Sequence, residues 1–189
     1  MAERSARVFE WTLLILVISV IVTLAVGVYS RMAEDVRQLS FKLAAQNFET
    51  AVSGVRAKWY VQRSQGDLDY TVTVYGQLPS SPVDGQEMSP VEVYLNRSGW
   101  PVNTASAAQA QDRTLEVWEC AQLWNGLLYQ APKVEIEGQE SAETGDYEVS
   151  AVTDQDEKAC RYRHLLDESG RQYFDYFPRN GRVVVYSSP

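Results

Sequence analysis

The sequence predicts an α+β protein. A long N-terminal helix, membrane-spanning in its first half, is packed in its second half on a C-terminal antiparallel β-sheet domain. Three observations predict this. Residues 11–30, WTLLILVISVIVTLAVGVYS, are a run of 20 without a charged side chain. Phe41, Ala45, Phe48, Val52, Val55 and Trp59 then recur at spacings of 4, 3, 4, 3 and 4, which is one face of a helix. Past residue 130 the chain breaks into short, alternating, β-rich segments separated by polar turns.

The uncharged run, at about 1.5 Å of rise per residue, covers about 30 Å, one hydrocarbon core. Thr12, Ser19 and Thr23 can bond back to helical carbonyls and so do not oppose insertion. No proline follows until Pro79, and Gly54 is the one weak helix former, costing roughly 1 kcal/mol against Ala. One helix is therefore expected over residues 9–62. The chain divides into a short N-terminus (1–10), a transmembrane helix (11–30), its amphipathic continuation (31–62) and an extracytoplasmic α+β domain (63–189). The stripe from Phe41 to Trp59 is read as the cover for one face of the sheet. The opposite side carries Val36, Leu39 and Leu43, candidates for contact with a partner helix.

Arg4 and Arg7 before the run would suit a cleaved secretory signal, but the run is long and no small-x-small site follows it, so a retained anchor is expected. Basic residues lie on both sides, with Arg31, Arg37 and Lys42 after the span, and do not orient it. Cys120 and Cys160 are the only two cysteines. In an exported domain they most simply form one disulfide, contributing roughly 4 kcal/mol in the chain-entropy model. The alternative is two buried thiols in a cytosolic domain. The disulfide reading puts the N-terminus in the cytoplasm and the domain outside it.

Further along, residues 69–75 read as a strand, 78–90 (three prolines and Gly85) as a loop, and 91–95 as a strand. The turn Asn96-Arg97-Ser98-Gly99 also matches an N-glycosylation acceptor, a chance match in a turn-rich stretch. Residues 104–111 are small and polar. Residues 112–129 read as a helix with Leu115, Trp118, Cys120, Ala121, Trp124, Leu127 and Leu128 on one side, ended by Pro132. Five strands of an antiparallel sheet follow, at 134–137, 147–152, 160–166, 172–177 and 182–186, with polar turns at 138–145 and 154–158 and a hairpin signal at Asn180-Gly181.

The residues offer no catalytic constellation. The formal charge of −8 argues against a nucleic-acid partner. His164, the one histidine, alternates with Tyr162 and reads as a surface or half-buried strand residue. There is no Gly-x-Ser-x-Gly elbow, no zinc-ligand spacing and no phosphate loop. Asp154, Asp156 and Glu157 lack the glycine and distal glutamate of a calcium loop and read as a solvated turn. Tyr173-Phe174 and Tyr176-Phe177 read as strand core. No cofactor, metal or small-molecule substrate is expected.

The layout of membrane helix, amphipathic helix, loop and sheet with one disulfide resembles type IV pilins and pseudopilins. Residues 11–17, an aromatic followed by Thr-Leu and an apolar run, look like a pilin start. Ser98-Gly99-Trp100-Pro101-Val102 resembles the Gly-Trp-Pro turn of many minor pilins. Residues 120–128, CAQLWNGLL, resemble the Cys-containing helix of pilin-like proteins of the mannose-sensitive haemagglutinin (MSHA) pilus. Cys160-Arg161-Tyr162, Tyr176 and Asn180-Gly181-Arg182-Val183 are similar to the final hairpin of that group. Glu10 stands where a prepilin carries Gly, and Ile15 where a major pilin carries Glu. The resemblance thus implies an unprocessed accessory protein of MSHA-type pilus biogenesis (the MshF type). It would be non-catalytic and single-pass in the inner membrane, with a periplasmic domain and with lipid, other pilins and assembly proteins as partners. The competing expectation is a membrane-anchored periplasmic binding or sensory module unrelated to pili, with a pocket in the sheet.

Overall fold

The computed structural model describes residues 2–66, 69–76, 89–104, 115–139, 145–154, 156–166 and 171–187. The fold is α+β: a long N-terminal helix and a C-terminal domain rich in antiparallel sheet. Packing divides the chain into two units, Met1–Ser40 and Phe41–Pro189.

From Ala2 on, the first unit belongs to α1, which runs Ala2–Ser64 and so begins earlier than residue 9. Its apolar stretch is long and apolar enough to cross a membrane, with a mean hydropathy of 2.6 over its most apolar window and none of that window buried. Ser19 and Thr23 donate their hydroxyls to the carbonyls of Ile15 and Ser19, each at 2.8 Å. Their polarity is therefore consumed within the helix, as a span requires. The side chain of Thr12 lies outside the described residues.

In the second unit the last turns of α1 meet two sheets. The first has the order β1-β2-β3, with β1 at Thr71–Gly76, β2 at Ser89–Leu95 and β3 at Pro101–Asn103, all antiparallel. β2 takes in Ser89 and Pro90, which the prolines had assigned to a loop; the remainder of that expected loop, and residues 105–111, lie outside the described residues. Helix α2 runs Val117–Leu127. It starts later than expected because Glu116 has extended backbone, and its N–H is taken by the Glu119 carboxylate at 2.9 Å, closing the first turn. Leu115 is buried from a non-helical position, so its apolar spacing was helical by coincidence.

The second sheet has the order β4-β5-β6-β7-β8: Val134–Ile136, Tyr147–Asp154, Glu157–His164, Tyr173–Phe177 and Arg182–Tyr186. It departs from the expected all-antiparallel sheet, because β4 and β5 are parallel. The cause is the return of the chain to the start of β4. Asp146 and Tyr147 both donate their N–H to the Lys133 carbonyl, at 2.9 and 3.1 Å. Gly145 permits the passage: a Cβ there would lie 3.1 Å from Glu135 N and 3.2 Å from Lys133 O. β5 therefore begins beside Val134 and runs in the same direction. The β5–β6 turn is tighter than residues 154–158 suggested, since Asp156 takes a left-handed φ of 64° and pairing extends to Asp154 and Glu157. Asn180-Gly181 does turn the last hairpin, with Gly181 at φ 71°.

Candidate functional site

The helix face read from spacing is the face that is buried. Phe41, Ala45, Phe48, Val52, Val55 and Trp59 all lie in the core of the second unit, joined by Ala44. Phe48 is at the centre. Its ring lies 5.1 Å from that of Tyr162, 5.3 Å from Tyr176, 5.7 Å from Phe174 and 6.2 Å from Trp124. Tyr162 of β6 stands opposite Phe174 of β7, Tyr176 lies two residues further along β7 opposite Cys160, and Trp124 comes from α2. Burial of a phenol or indole demands a partner for its polar tip. Tyr162 donates to Cys120 O at 2.9 Å, Tyr176 to Pro101 O at 2.7 Å and Trp124 Nε1 to Pro132 O at 2.8 Å. Burial also pushes the phenols of Tyr162 and Tyr176 above their ordinary value.

Cys120 and Cys160 are joined, with Cα atoms 5.5 Å apart and a separation of 40 residues. The bond ties α2 to β6 beside this cluster, and both sulfurs are buried.

The three candidate partner-contact residues fall on the other side of the accounting. Val36 is 65% exposed, Leu39 57% and Leu43 47%.

The Gly-Trp-Pro turn is a clamp rather than a binding surface. Trp59 Nε1 donates to Asp69 O at 3.1 Å, and the Trp59 ring lies flat against Gly99, where a Cβ would come within 2.3 Å of it. The Trp100 ring lies likewise on Gly181, at 2.0 Å from a notional Cβ, and carries the Arg56 guanidinium 3.8 Å above its centroid. Asn96 is fully used inside the turn: Nδ2 donates to Pro178 O at 2.6 Å, while Oδ1 accepts from the N–H groups of Ser98 and Trp100. The glycosylation-like triplet therefore has a structural use.

His164 is buried, not on the surface or half-buried, with its ring 5.1 Å from Tyr147 and 6.1 Å from Phe41. Among the described residues no three His, Cys, Asp or Glu side chains converge on a point that could hold a metal ion. Two buried carboxylates escaped the sequence reading. Glu119 accepts from Asn103 Nδ2 at 2.9 Å as well as closing α2. Asp175 takes a two-pronged ion pair from Arg161, both contacts 2.8 Å. The Glu-x-x-Glu spacing at 116–119 could have signalled the first; nothing in the local pattern signalled the second.

No protein-family model, no curated protein and no solved structure matches the chain.

Proposed function

We propose that the protein is a non-catalytic, membrane-anchored assembly component of a type IV pilus of the MSHA kind. Its apolar helix is a retained inner-membrane anchor and its α+β domain is held on the periplasmic side. The observation that carries this reading is the division of labour along α1. The aromatic face is consumed by the protein's own core, while Val36, Leu39 and Leu43 stay exposed at positions where a second helix can lie. The disulfide supports an oxidising compartment, since such bonds persist outside the cytosol.

The test is Leu39→Asp in the producing organism. A carboxylate at an exposed position leaves folding intact, so protein level should hold while surface pili fall. Normal piliation in that strain, or in a strain lacking the gene, removes the assembly role and leaves the anchored binding module as the better reading.

A further inference from the structure

We infer that β8 is a docking edge for β8 of a second copy of this chain. The inference rests on the helix being a retained membrane anchor and not on the pilus reading.

A strand at the edge of a sheet presents unpaired N–H and C=O groups, and proteins protect such edges with short strands, charges, bulges or covering segments. The other described edges are protected. β1 has its Thr73 carbonyl capped by Lys58 Nζ at 2.6 Å. β3 is three residues long and wholly buried. β4 is also three residues, with Glu135 at its middle accepting from the Gly145 N–H. β8 is capped only at its first N–H, which Arg182 donates to Asn180 Oδ1 at 2.9 Å, and it has no central charge. It pairs with β7 in an unbroken register of five residues, and among the described residues nothing pairs with its far side. Its sequence, RVVVY, has one charge, at the first position, and no proline. Val185 is 45% exposed and Tyr186 36%.

The strand is complementary to itself when turned about Val184. Antiparallel pairing with a second β8 sets Val184 opposite Val184, Val183 opposite Val185, and Arg182 opposite Tyr186, twice. The last match continues a row already present on that face. The Arg161 guanidinium lies 4.2 Å from the Tyr173 ring centroid, and Tyr173 stacks on Tyr186 at 4.6 Å. The Arg182 guanidinium already rests on an aromatic ring, Phe177, at 4.3 Å. In the pair, Arg182 of the second copy stands opposite Tyr186; turning its guanidinium from Phe177 and from the Glu157 carboxylate, 4.0 Å away in the single chain, to the Tyr186 ring makes the row Arg-Tyr-Tyr-Arg across the junction. Such contacts add to the strand hydrogen bonds. Five residues a side bury far less than the roughly 1,200–2,000 Å² of stable interfaces, so the association belongs to copies concentrated by a shared membrane rather than to dilute solution.

The test uses full-length chain in the membranes of producing cells. Both native cysteines are in the disulfide and no other thiol exists, so one introduced cysteine reports alone. Directly opposed strand residues have Cα atoms about 4.5–5.5 Å apart, within disulfide reach. Val184→Cys should give a covalent dimer on mild oxidation, several-fold above Lys158→Cys, an exposed control on the β5–β6 hairpin. Differently tagged Arg182→Cys and Tyr186→Cys chains, produced together, should join to each other more than either joins to itself. Equal yields from Val184→Cys and the control overturn the inference. So does preferential joining of Arg182→Cys to itself, which requires parallel strands.

Discussion

Replacing Phe48 by alanine tests the central claim about α1, that its aromatic face is core and not a partner surface. The side chain is fully buried and faces four other rings within about 6 Å. Truncating a buried phenylalanine typically costs about 3–5 kcal/mol, from lost transfer energy and the cavity left behind. The upper half of that range applies, because Tyr162 and Tyr176 are tethered by hydrogen bonds to Cys120 O and Pro101 O and cannot collapse into the space. For a domain of this size each kcal/mol moves the unfolding midpoint by roughly 2–4 °C, so a loss of about 8–20 °C is expected. The assay is thermal unfolding of the full-length protein in detergent, followed by near-ultraviolet circular dichroism. Phe48→Leu should fall between, and Leu39→Ala, which removes an exposed side chain, should shift the midpoint by no more than about 2 °C. Equal shifts for Phe48→Ala and Leu39→Ala would refute the assignment of the two faces.

Cys160→Ala should cost about 4 kcal/mol and expose one reactive thiol at Cys120, measurable by thiol titration in denaturant; two thiols in the wild-type protein would contradict it. Gly181→Ala, at φ 71° and pressed on Trp100, should lower stability by at least 2 kcal/mol, whereas Gly138→Ala, at φ 79° in open space, should lose only the strain of the left-handed backbone; chemical denaturation compares them. Asp175→Ala should cost about 3–5 kcal/mol, because it strands Arg161 beside a desolvated site, and Asp175→Asn should cost less. Burial raises the phenols of Tyr147, Tyr162 and Tyr176 above 10.0. Their neutral form is favoured in the fold, so the stability they lend is complete below about pH 10 and is lost as pH rises through the folded values. Absorbance at alkaline pH should show these three ionising together with unfolding, not before it.

Much of the fold was legible because its signals are local. A 3.6-residue rhythm marked Phe41, Ala45, Phe48, Val52, Val55 and Trp59 before any partner was known. With two cysteines there was one pairing to consider, and Asn180-Gly181 announces its own turn. The misreadings share a different cause. The parallel β4 follows from where Gly145 lets the chain cross Lys133, a tertiary contact with no periodic trace. Leu115 obeyed helical spacing yet is buried from a non-helical position next to α2. Asp175 looks like an outward strand residue and yet is buried, paired with Arg161 on the neighbouring strand. The exposed Leu39 could likewise be placed by spacing, since it lies on the side of α1 opposite the buried stripe.

The central ring cluster also has a consequence in time. Phe48 leaves the ribosome long before Phe174 and Tyr176, the rings that enclose it, and Asn96 and Pro101 wait 82 and 75 residues for Pro178 and Tyr176. At about 5–20 residues per second, the aromatic stripe of α1 is bare for roughly ten seconds of synthesis. During that interval the nascent chain displays two consecutive apolar surfaces, one long and apolar enough to cross a membrane and one that its own core will bury. Closure of the core over that stripe therefore waits for the last strands of the domain, and the disulfide waits in the same way for Cys160, made 40 residues after Cys120.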